Sequence, residues 1–208
     1  MFQNLIGNEN VKNILSKTVE TNSILHSYLF VGIEGIGKSL FAKEFAKAIL
    51  CLSKEKKSCD ECKSCIEFKN DNNPDFMIIN PDGNSIKIEQ IRFLIEKISE
   101  KPISSEHKVY IVNDSDKMTI EAQNSLLKTL EEPPEYAVLI LITSNESKLL
   151  NTIKSRCTKI FFNKIEDAQM EKYIRQNISE DSTISIVEAS QGSIRKSVKT
   201  EKFWTNIF

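Results

Sequence analysis

Two groups of residues in this chain have types and spacings suited to chemistry. The first runs from Gly32 to Ser39 and reads Gly-Ile-Glu-Gly-Ile-Gly-Lys-Ser, directly after the apolar run Tyr28, Leu29, Phe30, Val31. Gly-x-x-x-x-Gly-Lys-Ser at the end of a predicted strand, with a helical pattern from Leu40 onward, is suited to holding polyphosphate. Gly32 and Gly37 let the chain turn tightly so that backbone N–H groups face phosphate oxygens, and Gly35 joins them as a candidate nucleotide-binding glycine. Lys38 would place a point charge near the β- and γ-phosphates, and the Ser39 hydroxyl is a ligand for Mg²⁺. The following helix adds its positive end. The competing reading of the same residues is a glycine-rich turn that only joins a strand to a helix.

The second group is Cys51, Cys59, Cys62 and Cys65, the last three in a Cys-x-x-Cys-x-x-Cys run. Four thiolates suit a tetrahedral Zn²⁺, and two-residue spacers let neighbouring ligands come from one turn. A filled set of four is a structural site with no open catalytic position. Disulfides and a redox or iron–sulfur role use the same residues; the chain shows no secretory leader to favour disulfides. Cys157 stands apart and reads as a small buried hydrophobe.

The elements that must position these groups follow from periodicity. Val11, Ile14, Leu15 and Val19 predict an N-terminal amphipathic helix, and Phe41, Phe45, Ala48 and Ile49 a helix behind the phosphate loop. Residues 51–65 read as a lysine-rich loop carrying the cysteines. Strands are predicted at 28–31, 76–79, 109–112, 138–143 and 159–162. Ile91, Leu94, Ile95 and Ile98 mark one intervening helix; Ala122, Leu126 and Leu130 mark another, stopped by Pro133-Pro134. Alternating strands and helices imply an α/β fold with a mainly parallel five-stranded sheet covered on both faces. Past Asn163 the β signal ends and short helices follow, at 170–174 and 184–189. The expected division is therefore a nucleotide-binding domain over 1–163 and a small helical domain over 164–208.

The bulk composition narrows the function classes. With 208 residues, 40% hydrophobic and 27% charged, the chain has the balance of a globular protein. No apolar stretch approaches the roughly 20 residues that span a bilayer. The first residues lack a basic segment followed by an apolar one, so the expected location is cytoplasmic with no membrane partner. A net charge of −1 argues against coating nucleic acid alone. It also counts against a zinc-dependent DNA-binding module, a second function class that the cysteines raise.

Further along, Leu126 to Pro134 reads Leu-Leu-Lys-Thr-Leu-Glu-Glu-Pro-Pro, and Ser155-Arg156-Cys157 follows. With the phosphate loop, the four-cysteine insertion and an acidic cluster after a strand, this chain resembles the bacterial clamp-loader AAA+ subunits of DNA polymerase III along essentially its whole length. The resemblance implies a AAA+ P-loop module with a zinc insertion and a helical lid, acting in ATP-dependent loading of the sliding clamp onto primed DNA. The implied partners are other clamp-loader subunits and, through the complex, the clamp and primer-template DNA. ATP or ADP with Mg²⁺ is the implied ligand.

The family carries an Asp-Glu pair after its third strand, holding Mg²⁺ and polarising water. Here the corresponding positions are Asn113 and Asp114. An amide brings no anionic charge, and Asp114 is one methylene shorter than glutamate, so this chain is expected to bind nucleotide with little turnover. That departure favours a stator subunit over an active ATPase of the same family. By the resemblance, Arg156 is the trans-acting arginine offered to a neighbour's γ-phosphate, against the reading of an ordinary surface arginine. Thr143, with Ser144 and Asn145, falls where the first sensor lies. Arg195 falls at the second sensor, or is simply a helix-start arginine. The family also has a helical collar domain that these residues do not include, and the apolar tail at 203–208 implies a shortened chain.

Overall fold

Five β-prone runs pair into one sheet; the three central ones are apolar enough to be covered on both faces, whereas the edge run at 158–161 buries only Ile160. The structure, a computed structural model, describes residues 1–2, 5–55, 57–166 and 169. The elements are α1 (Glu9–Glu20), β1 (Ser27–Val31), α2 (Lys38–Leu50), α3 (Lys63–Lys69), β2 (Phe76–Ile79), α4 (Ile88–Ile98), β3 (Lys108–Val112), α5 (Ile120–Glu131), β4 (Ala137–Thr143), α6 (Asn151–Lys154) and β5 (Thr158–Phe161). Single 3-10 turns at Ser115–Lys117 and Glu146–Lys148 follow β3 and β4. The order across the sheet is β2-β3-β4-β1-β5, and every pairing is parallel. All twelve residues of β3 and β4 are buried, as central strands of a doubly covered sheet require.

Side-chain alternation sorts the core into two layers. Tyr28, Phe30, Ile111, Ile140 and Ile160 pack with α1 and α2 on one face. Leu29, Tyr110, Val112, Leu139 and Leu141 pack with α4, α5 and α6 on the other. On α1 the buried stripe is Val11, Leu15 and Val19. Ile14, expected in that stripe, lies at its margin and is half exposed. The Pro133-Pro134 stop falls where expected, since α5 ends at Glu131. Thr119 caps its start, accepting the Ala122 N–H.

Two buried polar side chains tie segments that have no ladder of their own. Asp75, just before β2, is fully buried and accepts the backbone N–H groups of Ile103, Ser104 and Ser105 at 2.7–2.8 Å. Gln123 on α5 donates to the carbonyls of Met118 and Lys148 and accepts the Leu150 N–H, fixing the entry to α6. Between them these two side chains satisfy backbone groups that burial would otherwise leave unpaired. At the far end, Asn8 makes a two-way bond with the backbone of Asn163, and Ile165 still packs in the core. The helices expected at 170–174 and 184–189 lie outside the described residues.

Asp75→Ala should cost about 3 kcal/mol of stability, because three partly buried N–H donors lose a buried charged acceptor. Urea unfolding checks this, and a loss below about 1 kcal/mol would show that water replaces the carboxylate.

Candidate functional site

The glycine-rich loop leaves β1 at the carboxyl edge of the sheet, between the ends of β4 and β5. This is where the strand order reverses, the usual ligand crevice of an open parallel sheet. Gly37 caps α2 at φ 97° and Gly35 sits at φ 80°, both in the left-handed region that favours glycine. Gly32 serves a different purpose from the tight turn expected of it. Its N–H donates to the Thr143 carbonyl at 3.3 Å, continuing the ladder rather than facing a phosphate. A Cβ there would lie 2.8 Å from Phe162 Cβ and 2.9 Å from the Phe162 carbonyl oxygen. The position is glycine because β5 passes close by.

Lys38 opens α2 and is buried, its ammonium donating to the carbonyls of Gly32 and Ile33 at 2.6 and 2.8 Å. Burial pulls its pKa below the ordinary lysine value, opposed by the carboxylates of Asp114, Asp116 and Glu34. The lysine thus closes its own loop and sits in a field set by three acids.

Ser39 meets the end of β3. Its hydroxyl donates to Asn113 Oδ1 at 3.1 Å, while Asn113 Nδ2 donates to Asn80 Oδ1 at 2.8 Å. Asn113 therefore bridges two neutral partners and brings no negative charge to the hydroxyl. Asp114 adopts φ 47° and pairs with Lys117 at 2.9 Å, so its carboxylate is engaged on the adjacent turn. The acid that reaches across the crevice is Asp116, which sequence reasoning missed. Its Oδ1 accepts the Thr143 hydroxyl at 2.8 Å and the Ser144 N–H at 3.1 Å. Thr143 is fully buried at the end of β4. The acidic run after β3 was visible in the sequence, but which acid faced β4 depended on the turn at Ser115–Lys117.

Arg156 lies on the same side of the sheet as α5 and α6, just before β5. It donates through Nη1 to the Thr152 carbonyl at 2.8 Å and through Nη2 to Glu131 at 2.5 Å. The two sequence motifs, Leu126 to Pro134 and Ser155 to Cys157, therefore meet in space. Cys157 is buried beside it, and burial pushes its thiol up to about 11, as fits an inert core residue. Arg195 lies outside the described residues.

The cysteine module grows from the other end of α2. Cys51 is its C-terminal cap, Cys59 and Cys62 come from the loop, and Cys65 sits in α3, which begins at Lys63 inside the segment expected to be loop. Short helix forms there because Asn73 grips Ser64 through both its carbonyl and hydroxyl, and Phe68 packs on Phe76 at 4.4 Å. None of the four cysteines forms a disulfide. Their sulfurs all lie within 4.8 Å of one another, with Cys51–Cys59 at 3.6 Å and Cys59–Cys65 at 4.0 Å. Tetrahedral thiolate ligation with bonds of about 2.3 Å places sulfurs about 3.8 Å apart, so the set fits a metal ion. The backbone N–H groups of Glu61 and Cys62 hold the Cys59 thiol down at about 6, while burial pushes the Cys65 thiol up.

A glycine-rich loop ahead of α2, at the carboxyl edge of a β2-β3-β4-β1-β5 sheet, is the AAA+ type of P-loop fold, and comparison with known proteins agrees. A DNA polymerase III gamma subunit-related protein from Thermotoga maritima superposes with a TM-score of 0.62 over 90% of this chain and 57% of that one, at 23% identity. The Thermotoga maritima RuvB Holliday junction branch migration motor superposes with a TM-score of 0.63 over 95% and 61%, at 16% identity. Sequence carries the likeness further. The DNA polymerase III subunit delta' of Bacillus subtilis (strain 168) is 38% identical over 170 residues, 81% of this chain and 52% of that protein. The tau/gamma subunit of Haemophilus influenzae is 31% identical over 95% of this chain and 30% of its own length. The family described as DNA polymerase III, delta subunit, matches residues 7–166, and the chain belongs to that family. It spans about half the length of the delta' relative and less of the tau/gamma one. No helix among the described residues is long and apolar enough to cross a membrane.

A strong thiol-competing chelator should release one metal ion per chain and expose four additional reactive thiols. Hydrogen exchange should then rise across 51–73 and stay low in β3 and β4. Four thiols that react fully before chelation would show that the cluster holds no metal.

Proposed function

We propose that this chain is the AAA+ part of a clamp-loader stator, a delta'-type subunit that organises a ring and completes a neighbour's ATPase site. Residues 1–163 form the nucleotide-binding domain and 164–208 the helical lid. The complex it serves would use ATP to load the sliding clamp onto primer-template DNA, in the cytoplasm at the replication machinery. Its metal is Zn²⁺, held by Cys51, Cys59, Cys62 and Cys65 as a structural site, since four thiolates around a redox-inert tetrahedral ion leave no open position.

The observation that carries the reading is the neutral Ser39–Asn113–Asn80 chain. An ATPase needs an anion there to hold Mg²⁺ beside the serine hydroxyl, and a base within reach of water. This chain offers an amide and an Asp114 turned to Lys117. The phosphate loop itself is intact, so Gly32, Gly35, Gly37, Lys38 and Ser39, with Asp114, Thr143 and Arg195, are the residues that would surround ATP or ADP. When bound, Mg²⁺ would be held at the Ser39 hydroxyl and would supply charge neutralisation to the phosphates. On this reading the chain's own catalytic contribution is exported: Arg156 supplies a planar fork of donors to a γ-phosphate on the neighbouring subunit. The rival reading, an active tau/gamma-type ATPase, draws on the same intact loop but leaves Asn113 unexplained.

Asn113→Asp tests the amide directly. It should strengthen Mg²⁺-dependent binding of a fluorescent ATP analogue by about tenfold, on the order of 1.4 kcal/mol, while leaving metal-free binding little changed. An equal affinity with and without Mg²⁺ in the variant would mean that position 113 does not face the cation.

Arg156→Ala tests the exported function. In the assembled complex with full-length chain, it should leave metal content and assembly intact and lower ATP hydrolysis. Arginine fingers contribute factors of about 10³ to 10⁵ at a single site, diluted where a ring holds several. Unchanged hydrolysis and clamp loading in a complex that contains the variant would remove the stator-with-finger reading.

A further inference from the structure

The Arg156 guanidinium is gripped from two helices. Nη2 donates to Glu131 Oε1 at 2.5 Å, from the last residue of α5, and Nη1 donates to the Thr152 carbonyl at 2.8 Å, from α6. Both helices are anchored in the core, α5 through Leu126 and Leu130 and α6 through the fully buried Ile153. Gln123 fixes the segment between them by accepting the Leu150 N–H at 2.8 Å. An arginine has five N–H donors, and these two bonds use two, leaving three for a partner. Without Glu131 the side chain would keep a single carbonyl contact and regain much of its rotamer freedom.

From this grip we infer that Glu131 is a positioning residue for Arg156: it fixes the guanidinium plane so that the remaining donors are presented to the neighbouring subunit's nucleotide. The inference rests on the reading of Arg156 as a trans-acting arginine. The strength of the pair suits the task. Side-chain exposures of 32% for Arg156 and 48% for Glu131 make this a partly solvated ion pair. Such pairs bias a side chain without trapping it, so Glu131 orients the arginine while still letting it move onto a phosphate. A carboxylate is needed because it accepts from the guanidinium as an anion, and a neutral amide accepts more weakly.

The test uses the full-length chain assembled with its ATPase partner subunits. Four forms are compared: Glu131→Gln, Glu131→Asp, Arg156→Ala and the double variant Glu131→Gln/Arg156→Ala. Assembly is checked by size exclusion and folding by the thermal midpoint. Glu131→Gln should lower kcat for ATP hydrolysis about two- to fivefold, the scale of an exposed ion pair, with KM for ATP nearly unchanged. Glu131→Asp, which keeps the charge, should recover part of the loss. The double variant should be no slower than Arg156→Ala, because Glu131 acts only through the arginine. A normal kcat for Glu131→Gln beside a slow Arg156→Ala would overturn the positioning role and leave the trans-acting arginine standing. A faster Glu131→Gln would overturn it too, marking the pair as a restraint. A double variant much slower than Arg156→Ala would assign Glu131 a separate structural effect. No change in any form, Arg156→Ala included, would remove both readings together.

Discussion

Helix α2 is bound by chemistry at both ends, and the rest of the molecule is arranged around that. Its first turn follows Gly37, whose left-handed backbone brings the phosphate loop round into the helix. Its last residue is followed by Cys51, the first of four clustered thiols. Thirteen residues at 1.5 Å each set these centres about 20 Å apart. Between them Phe41, Ala42, Phe45 and Ala46 are fully buried against the sheet, and Tyr28 meets Phe45 edge-on at 5.2 Å. The alternation of large and small residues on one face lets the helix lie close to β1. That closeness holds the loop at the carboxyl edge of the sheet.

The same economy of space explains the glycine at the start of the loop. Phe162 follows β5 and packs with Phe30 and Phe41 at 5.2 Å each, so β1, α2 and β5 share one aromatic contact. A side chain on Gly32 would force this cluster apart. The glycine-rich loop is therefore a packing device as well as a turn. An intact glycine pattern speaks first of the fold and only then of a ligand.

Electrostatics then separate the two ends of the crevice. Where Ser39 meets β3 the partners are neutral amides; where β4 ends, Asp116 holds Thr143 and Ser144. Negative charge is thus present in the crevice but engaged, Asp116 by Thr143 and Ser144 and Asp114 by Lys117. The strong cation on the other face, Arg156, is held by an acid from α5. The crevice therefore carries its acids already engaged, while the arginine lies at the surface beside α5.

Much of this was legible in the residues alone. Strong β-branched runs and helical stripes placed the five strands and α1, α2, α4 and α5, because a doubly covered parallel sheet imposes burial on whole runs rather than on single residues. The phosphate loop, the four cysteines and the Asn113 substitution were readable because each depends on residue type at short spacing. Tertiary structure decided what depends on contacts distant in the chain. The exposure of Ile14 turned on how α1 meets the core, and α3 formed where Asn73 and Phe76 reached back to support a short, otherwise marginal helix. Asp116 rather than Asp114 faces β4 because one turn of 3-10 helix rotates it there. Glu131 and Arg156, 25 residues apart, meet because α5 and α6 pack on the same face of the sheet. Sequence by itself determined the class of fold and the chemistry each motif could supply, since those follow from local pattern. The direction in which each charge points followed only from packing, which no local spacing encodes.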